Sequence, residues 1–99
     1  MRQFYVHILA SNSRTLYVGV TSNLERRVYR YRHNMSSFTS RYRITRLVYF
    51  EVLENPMQTI IREKQLKRFL RAEKNALIAS VNPAWDDLAS DWFEKPGTA

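Results

Sequence analysis

A short polar turn near the N-terminus most constrains how this chain can fold. The turn, residues 11–14 (Ser-Asn-Ser-Arg), separates two segments, 3–10 and 15–21, that are rich in β-branched and aromatic residues. Segments of this length and composition favour strands over helices. Because so short a turn reverses the chain, we expect the two strands to form a hairpin. Gly19 interrupts the second strand, which indicates either a bulge or a close approach of another group to the backbone.

The segment after the hairpin is predicted to be a basic helix. Ser22 and Glu25 have the spacing of a capping box. The helix that follows places Leu24, Val28 and Tyr31 on one apolar stripe, and arginines occupy much of the remaining surface. The region 33–45 that comes next is polar and basic, and it predicts an irregular loop.

One strand and two further helices are predicted in the second half of the chain. Residues 46–52 are apolar on both faces, as expected of a central strand. Asn55-Pro56 combines an N-cap with a proline at the first helical position, and predicts a helix to about residue 70. A last helix is expected over 72–81, where Asn82-Pro83 ends it.

The predicted elements follow one another in the order β-β-α-β-α-α. This order indicates an α+β fold, in which helices cover a small three-stranded antiparallel sheet, because the chain is too short for a doubly wound sheet. The 99 residues contain no linker-like segment. We therefore expect one domain with its core over about 3–88 and a frayed tail over about 90–99. Trp85 and Trp92 are expected to pack back over the sheet as a short helix or turn.

Composition narrows the classes of function. Because the chain has no cysteine, it lacks disulfides, Cys-ligated zinc and thiol nucleophiles. It has no signal-peptide pattern and no apolar stretch of membrane-spanning length, so a cytoplasmic protein is expected. Sixteen Lys and Arg residues against nine Asp and Glu residues give a net charge of +7. From charge alone, nucleic-acid binding and an unrelated basic surface are equally well supported.

Several ordered motifs together resemble the GIY-YIG nuclease superfamily, and in particular its short, stand-alone bacterial branch, related to the N-terminal domain of the excision-repair incision subunit. The run 17–27 (Tyr-Val-Gly-Val-Thr-Ser-Asn-Leu-Glu-Arg-Arg) resembles the second motif and the helix that carries the family's arginine. Residues 5–7 (Tyr-Val-His) occupy the place of the first motif. Residues 62–67 resemble the glutamate-bearing helix, and residues 77–85 resemble the closing motif. Each motif alone is weak, but the ordered set is specific.

The resemblance implies an endonuclease that hydrolyses DNA phosphodiester bonds with Mg²⁺ or Mn²⁺, in DNA repair or processing, with selectivity for DNA structure as one prospect. Tyr17 would help to activate the attacking water, although a phenol with a pKa near ~10 is a poor base unaided. Arg27 would clamp the phosphate and stabilise the charge of the transition state. Tyr31, at a position where many relatives have histidine, would hydrogen-bond the scissile phosphate or a base.

Two further positions complete the site that the resemblance implies. Glu63 would bind the metal, because a hard carboxylate suits Mg²⁺. Asn82 would orient the substrate, and Asp86 is the alternative under a different alignment of the closing motif. We expect the side chains of Tyr17, Arg27, Tyr31 and Glu63 to converge on one cleft.

Each candidate also has a plainly structural explanation. Tyr17 could be a packed aromatic strand residue, and Arg27 one of several arginines on a solvated helix face. Glu63 has Lys67 four residues on, the spacing of an ordinary surface ion pair.

The backbone at Gly19 and the arginines of the helix and loop are expected to contact nucleic acid; these residues are Gly19, Arg26, Arg30, Arg41 and Arg43.

The first motif departs from the family pattern. Tyr5 is retained there, but His7 stands where the family has its first tyrosine. Because imidazole titrates near neutrality, His7 could preserve proton transfer, or it could mark a weakened site or be an ordinary strand residue. An inactive nucleic-acid-binding module of the same fold is therefore the alternative to an enzyme. The sequence carries no indication of oligomeric state.

Overall fold

The computed structural model describes residues 3–33 and 43–93. Its elements follow the predicted order β-β-α-β-α-α and confirm an α+β fold. They are β1 (Phe4–Ala10), β2 (Leu16–Thr21), α1 (Leu24–Arg32), β3 (Arg46–Leu53), α2 (Pro56–Arg68) and α3 (Arg71–Val81). Most of the predicted loop over 33–45 and most of the predicted tail lie outside the described residues. Among the residues that the structure describes, no helix is long and apolar enough to cross a membrane.

The sheet is antiparallel, with the strand order β2-β1-β3. The prediction that the third strand is central was wrong, because β1 occupies that place. β3 is apolar on both faces although it is an edge strand, since the molecule buries both of its sides at Leu47, Val48 and Tyr49. Ile8 pairs with Tyr49 and Leu9 with Leu47, so Val48 is the extra residue of a β-bulge.

Side chains alternate between the two faces of the sheet and so divide the core into two clusters. On one face, Val6, Ile8 and Val18 pack with Leu66 of α2 and Ile78 of α3. We call this the α2/α3 face. On the other face, β1 contributes Leu9, which packs with the α1 residues Leu24, Val28 and Tyr31 and with Ala89 of the C-terminal segment. We call this the α1 face.

The caps of the helices explain where α1 and α2 begin. The predicted capping box was wrong in detail, because Asn23 rather than Ser22 is the N-cap of α1, and its side chain accepts from the Arg26 amide at 3.0 Å. Thr21 Oγ1 accepts from the Asn23 amide at 3.1 Å and so orders the turn before the helix. Asn55 caps α2 as predicted, accepting from the amide of Met57 at 2.8 Å.

The C-terminal segment folds back over the α1 face, as predicted for Trp92. Asp87 makes this link: its carboxylate accepts from the Leu47 amide at 3.1 Å and forms an ion pair with Arg32. Arg32 also donates to the Ala89 carbonyl at 3.0 Å. Because Arg32 ends α1 and Leu47 belongs to β3, these bonds hold α1 against the sheet.

Candidate active site

Three aromatic rings meet where α1 crosses β1 and β2. The Tyr17 and Tyr31 ring centroids lie 5.6 Å apart with the planes at 68°. The His7 and Tyr31 centroids lie 6.1 Å apart at 67°. Arg27 precedes Tyr31 by one helical turn, and its Nη1 lies 3.4 Å from the Tyr31 hydroxyl. We call His7, Tyr17, Arg27 and Tyr31 the ring cluster.

Gly19 provides the space that the ring cluster needs. It pairs with His7 across the β1–β2 ladder. A Cβ at this position would lie 2.8 Å from His7 Cε1 and 3.1 Å from Tyr17 Cε2, which is closer than packed atoms tolerate. The two rings therefore approach the same point on the backbone of β2. Of the two interpretations of Gly19, close approach is confirmed.

His7 is fully buried, and neither of its ring nitrogens has a hydrogen-bond partner among residues 3–33 and 43–93. Burial lowers its pKa to about 4, and the nearby charge of Arg27 adds to this effect. The imidazole is therefore neutral at physiological pH. A buried polar group without a partner destabilises the fold. A histidine that only filled space at this position would therefore lower the stability of the protein.

Tyr31 is also buried, and it is held in its neutral form. Burial raises its pKa above the ordinary value; the hydrogen bond from Arg27 opposes this rise, and a hydrogen bond with Tyr17 adds to it. A protonated phenol can donate to an anionic oxygen and accept from a guanidinium at the same time. Tyr31 is thus prepared to hydrogen-bond a phosphate beside Arg27.

A small basic pocket opens next to the ring cluster at the start of α1. It has a volume of about 200 Å³. Three of the residues that line it are arginines, Arg26, Arg27 and Arg30, and the others are Thr21, Ser22 and Asn23. The N-terminus of a helix carries partial positive charge, and guanidinium groups bind phosphate oxygens in pairs. We call this the arginine pocket, and its chemistry suits an anion.

The remaining basic candidates lie in or near the predicted loop. Arg43 is exposed and has a left-handed backbone with φ 54°. Arg41 lies outside the described residues.

Glu63 lies on α2, which packs on the opposite face of the sheet from α1. The buried residues of α2 are Thr59 and Leu66, and successive residues advance by about 100° around a helix. Arg62 and Glu63 therefore lie on opposite flanks of this buried line. Arg62 reaches β3, where its Nη2 lies 2.8 Å from the carboxylate of Glu51. Glu63 occupies the other flank.

The described partner of Glu63 is Lys67, whose Nζ lies 3.2 Å from the carboxylate. The Glu63 side chain is 17% exposed, whereas that of Lys67 is 55% exposed. No cluster of three or more His, Asp or Glu side chains suited to a metal occurs in residues 3–33 and 43–93. The structure thus brings four candidates together as the ring cluster, while Glu63 lies in the helical layer across the sheet. Its role as metal ligand stays a prediction.

Asn82, at the end of α3, is buried and bonded to the backbone through both ends of its amide. Its Nδ2 donates to the Val48 carbonyl at 3.0 Å and to the Asp86 carbonyl at 2.9 Å. Its Oδ1 accepts from the Asp86 amide at 3.0 Å. These bonds indicate a structural role, joining α3 to β3, rather than the predicted contact with substrate. Asp86, the alternative candidate, contributes backbone groups to this link.

Tyr5 lies on the same face of β1 as His7, two residues nearer the N-terminus. Its hydroxyl donates to Gln3 Oε1 at 3.2 Å, and its ring meets Phe50 edge-on at 6.4 Å. Together with Val52 and Trp92, these two rings line an apolar pocket that our sequence analysis missed. The alternation of Phe50 and Val52 in β3 was a signal, but only the pairing of β1 with β3 identifies Tyr5 as their neighbour.

Comparisons with known proteins agree with this architecture. A family model described as the GIY-YIG catalytic domain matches residues 3–76, a range that includes the ring cluster and Glu63. A UPF0213 protein of Syntrophus aciditrophicus is 37% identical, over 79% of this chain and 92% of its own. Another, from Clostridium perfringens, is 38% identical over 77% and 83% of the respective chains.

One solved structure shows the same fold. The solution NMR structure of a UPF0213 protein from Bacillus halodurans has a TM-score of 0.57 at 20% identity, and the match covers 94% of this chain and 99% of that one. The family match implies nuclease chemistry and a nucleic-acid substrate in general terms. From the family model and these relatives together, the chain belongs to the GIY-YIG catalytic domain family.

Proposed function

We propose that this protein is a divalent-metal-dependent endonuclease that hydrolyses phosphodiester bonds of DNA, and that the ring cluster is its active site. The observation that carries the proposal is the convergence of Tyr17, Tyr31 and His7 around Gly19, with Arg27 bonded to Tyr31. This arrangement sets polar groups beside a basic pocket, as phosphoryl transfer requires. A surface that only bound nucleic acid would not need the buried Tyr31 beside Arg27 and the partly buried Tyr17.

Arg27 is the group that we assign to the reacting phosphate. It lines the arginine pocket and also contacts Tyr31, so it connects the binding surface to the ring cluster. A guanidinium can hold two phosphate oxygens, and its attraction grows as charge develops in the transition state. Arg26 and Arg30 belong to the same pocket and would hold neighbouring phosphates of the strand.

Tyr17 and Tyr31 are proposed to orient the attacking water and the phosphate. Tyr31, kept neutral by burial, donates to a phosphate oxygen. Tyr17 lies on β2, across the ring of Tyr31, and would hold the water in line for attack. His7 is a weak base with a pKa of about 4, so we assign it the positioning of the two tyrosines and not the deprotonation of water.

A divalent cation fits one part of this chain in chemical terms. Glu63 has a carboxylate that is only partly exposed, and Mg²⁺ usually takes one or two protein oxygens, with water and phosphate completing its shell. When bound, such an ion would supply charge stabilisation to the phosphate and would lower the pKa of a coordinated water. Because Glu63 lies on α2 and not in the ring cluster, the substrate would have to reach both. Glu63 would have to release Lys67 to hold it.

A catalytically inactive DNA-binding module is the second candidate, and His7 favours it. The family's first tyrosine is absent, and the group in its place is neutral, buried and without a hydrogen-bond partner in the described part of the chain. However, Tyr17, Arg27 and Glu63, the other positions that the resemblance implies, are present, and these residues favour the enzyme.

The deciding experiment is the cleavage of branched, nicked, single-stranded and fully paired DNA, with Mg²⁺, with Mn²⁺ and with EDTA. We expect metal-dependent cleavage of at least one substrate, and its loss in Glu63→Gln and Tyr17→Phe. Glu54→Gln is the matched control for Glu63, because Glu54 is an exposed carboxylate just before α2. If wild type binds DNA but cuts none of these substrates with either metal, the binding module replaces the enzyme.

A further inference from the structure

An open apolar pocket lies next to the arginine pocket. It has a volume of about 470 Å³. Its apolar walls come from β1, β3, the start of α1 and the C-terminal segment; the residues are Tyr5, Phe50, Val52, Leu24 and Trp92. Ser22 and Asn23 line both this pocket and the arginine pocket. We call it the aromatic pocket.

The walls of the aromatic pocket suit a flat, uncharged ring. Tyr5 and Phe50 meet edge-on, and Trp92 adds a third aromatic side chain. Val52, which pairs with Tyr5 across the β1–β3 ladder, is 49% exposed. Aromatic side chains of this kind stack on nucleobases with little regard to sequence, because every base has a π-face.

Charge distinguishes what the two neighbouring pockets can hold. The arginine pocket attracts anions through Arg26, Arg27 and Arg30. The aromatic pocket instead has the carboxylate residue Glu25 in its lining, which repels phosphate. A nucleotide fits both pockets, because its anionic phosphate suits the arginine pocket and its neutral, flat base suits the aromatic pocket. Since Ser22 and Asn23 separate the pockets, one nucleotide unit can contact both.

We propose that the aromatic pocket binds an unpaired nucleobase next to the phosphate held by Arg27. This inference rests on the proposed function, and it names the substrate class: DNA with an unstacked base at the cleavage position, such as a flap, a loop or a single strand. A base inside a duplex is held by pairing and stacking and cannot enter a side pocket without being extruded. The pocket therefore selects DNA structure without reading base edges.

Binding measurements test the pocket independently of cleavage. Fluorescence anisotropy in EDTA compares two duplexes, one with a single bulged thymidine and one with an abasic residue at the same place. We expect wild type to bind the bulged base about tenfold more tightly, the size of one stacking contact. Val52→Trp, which fills the pocket from an exposed position on an edge strand, abolishes this difference. Val52→Thr, which keeps the shape of valine, retains it.

A fluorescence measurement reports on the pocket directly. Trp92 lines the pocket, whereas Trp85 is buried in the other core cluster. We expect the bulged base to quench tryptophan emission, the abasic duplex to quench it less, and Trp92→Phe to remove the difference. Unchanged affinity of Val52→Trp for the abasic duplex verifies that this variant is folded.

The outcomes separate this proposal from the proposed function. If wild type binds both duplexes equally and still cuts DNA, the aromatic pocket is not a base site, and the nuclease stands. If wild type binds no DNA at all, both proposals fail. If sedimentation shows a dimer of this chain that Val52→Trp dissociates, the pocket is an interface between copies, and the base site is overturned.

Discussion

The two faces of the sheet use their polar groups in opposite ways. On the α2/α3 face, Glu51 accepts from Arg62 at 2.8 Å and from the Tyr49 hydroxyl, so ionised groups pair with each other. On the α1 face, neither ring nitrogen of His7 has a partner among the described residues, and Arg27 contacts Tyr31 at 3.4 Å while lining an open pocket. Glu51 is thus satisfied within the chain, although Asn75 Oδ1 on α3 is not, whereas the ring cluster leaves hydrogen-bonding capacity beside a pocket.

This contrast indicates that residues important for stability and residues of the ring cluster lie on opposite faces of the sheet. Alternate residues of each strand face one side or the other. Val6 and Ile8 of β1 belong to the apolar core, while His7 between them faces α1. A variant in the apolar core of the α2/α3 face should therefore change mainly the free energy of unfolding, and a variant in the ring cluster mainly the activity. Glu63, the proposed metal ligand on α2, is the exception. The following predictions test this separation.

The largest expected effect on stability lies on the α2/α3 face. Leu66 is fully buried between α2 and the sheet, so Leu66→Ala removes apolar contacts and leaves a cavity. We expect a loss of about 2–5 kcal/mol in the free energy of unfolding, measured by urea denaturation. Cleavage per folded molecule should fall far less than in Glu63→Gln, because the ring cluster lies on the other face of the sheet. A fall as large as that of Glu63→Gln would contradict the separation.

Arg27 and Arg62 are a matched pair, with one arginine on each side of the sheet. Arg27→Ala should reduce the cleavage rate by about 10²–10³, because a charge-stabilising donor is lost from the transition state, and DNA binding should weaken only slightly. Arg62→Ala breaks the ion pair with Glu51 and should cost about 1 kcal/mol of stability. Its cleavage rate should be unchanged. Equal effects of the two substitutions on cleavage would contradict the separation.

The stability of the α1 face should depend on pH through His7. The folded protein holds the pKa at about 4, below the ordinary value of 6.5. Between these values the unfolded chain binds a proton that the folded protein does not, so stability falls as pH decreases from 6.5 to 4. The loss should amount to about 3 kcal/mol, measured by thermal denaturation over pH 4–7.

His7→Phe is the control for this dependence, because it keeps an aromatic ring and removes the titration. Its stability should vary less with pH than that of wild type over the same range. If wild type and His7→Phe lose stability in parallel, other groups cause the acid sensitivity, and His7 is not held neutral by the fold.

The smallest expected effect concerns the rim of the arginine pocket. If about four phosphates contact the basic surface, log affinity should fall with log salt at a slope of about −3.5 on duplex DNA. Arg30→Ala should make this slope shallower by about one, without changing the free energy of unfolding measurably. Arg68→Ala, an exposed arginine at the end of α2, is the control and should leave the slope unchanged. A wild-type slope near zero would exclude electrostatic DNA binding.

Local sequence patterns were sufficient to predict the helices and strands, and short motifs were sufficient to predict the residues of the ring cluster. The apolar stripe of α1 predicted the burial of Leu24, Val28 and Tyr31 because helical spacing puts them on one side. The Asn55-Pro56 pair predicted the start of α2, because a cap acts on amides only two or three residues away. The family motifs selected His7, Tyr17, Arg27 and Tyr31, which the structure brings together.

Contacts between residues distant in sequence were decided only by the tertiary structure. The central place of β1, the bond from the Asn82 amide to the Val48 carbonyl, and the meeting of Tyr5 with Phe50 all depend on how the strands are arranged. Such pairing is set by register and by helices packing on both faces, which short-range patterns do not encode. The sequence by itself determined the elements and the residue types of the site. The tertiary structure decided that His7 is buried and that an aromatic pocket lies beside the arginines, because both need three strands and α1 together.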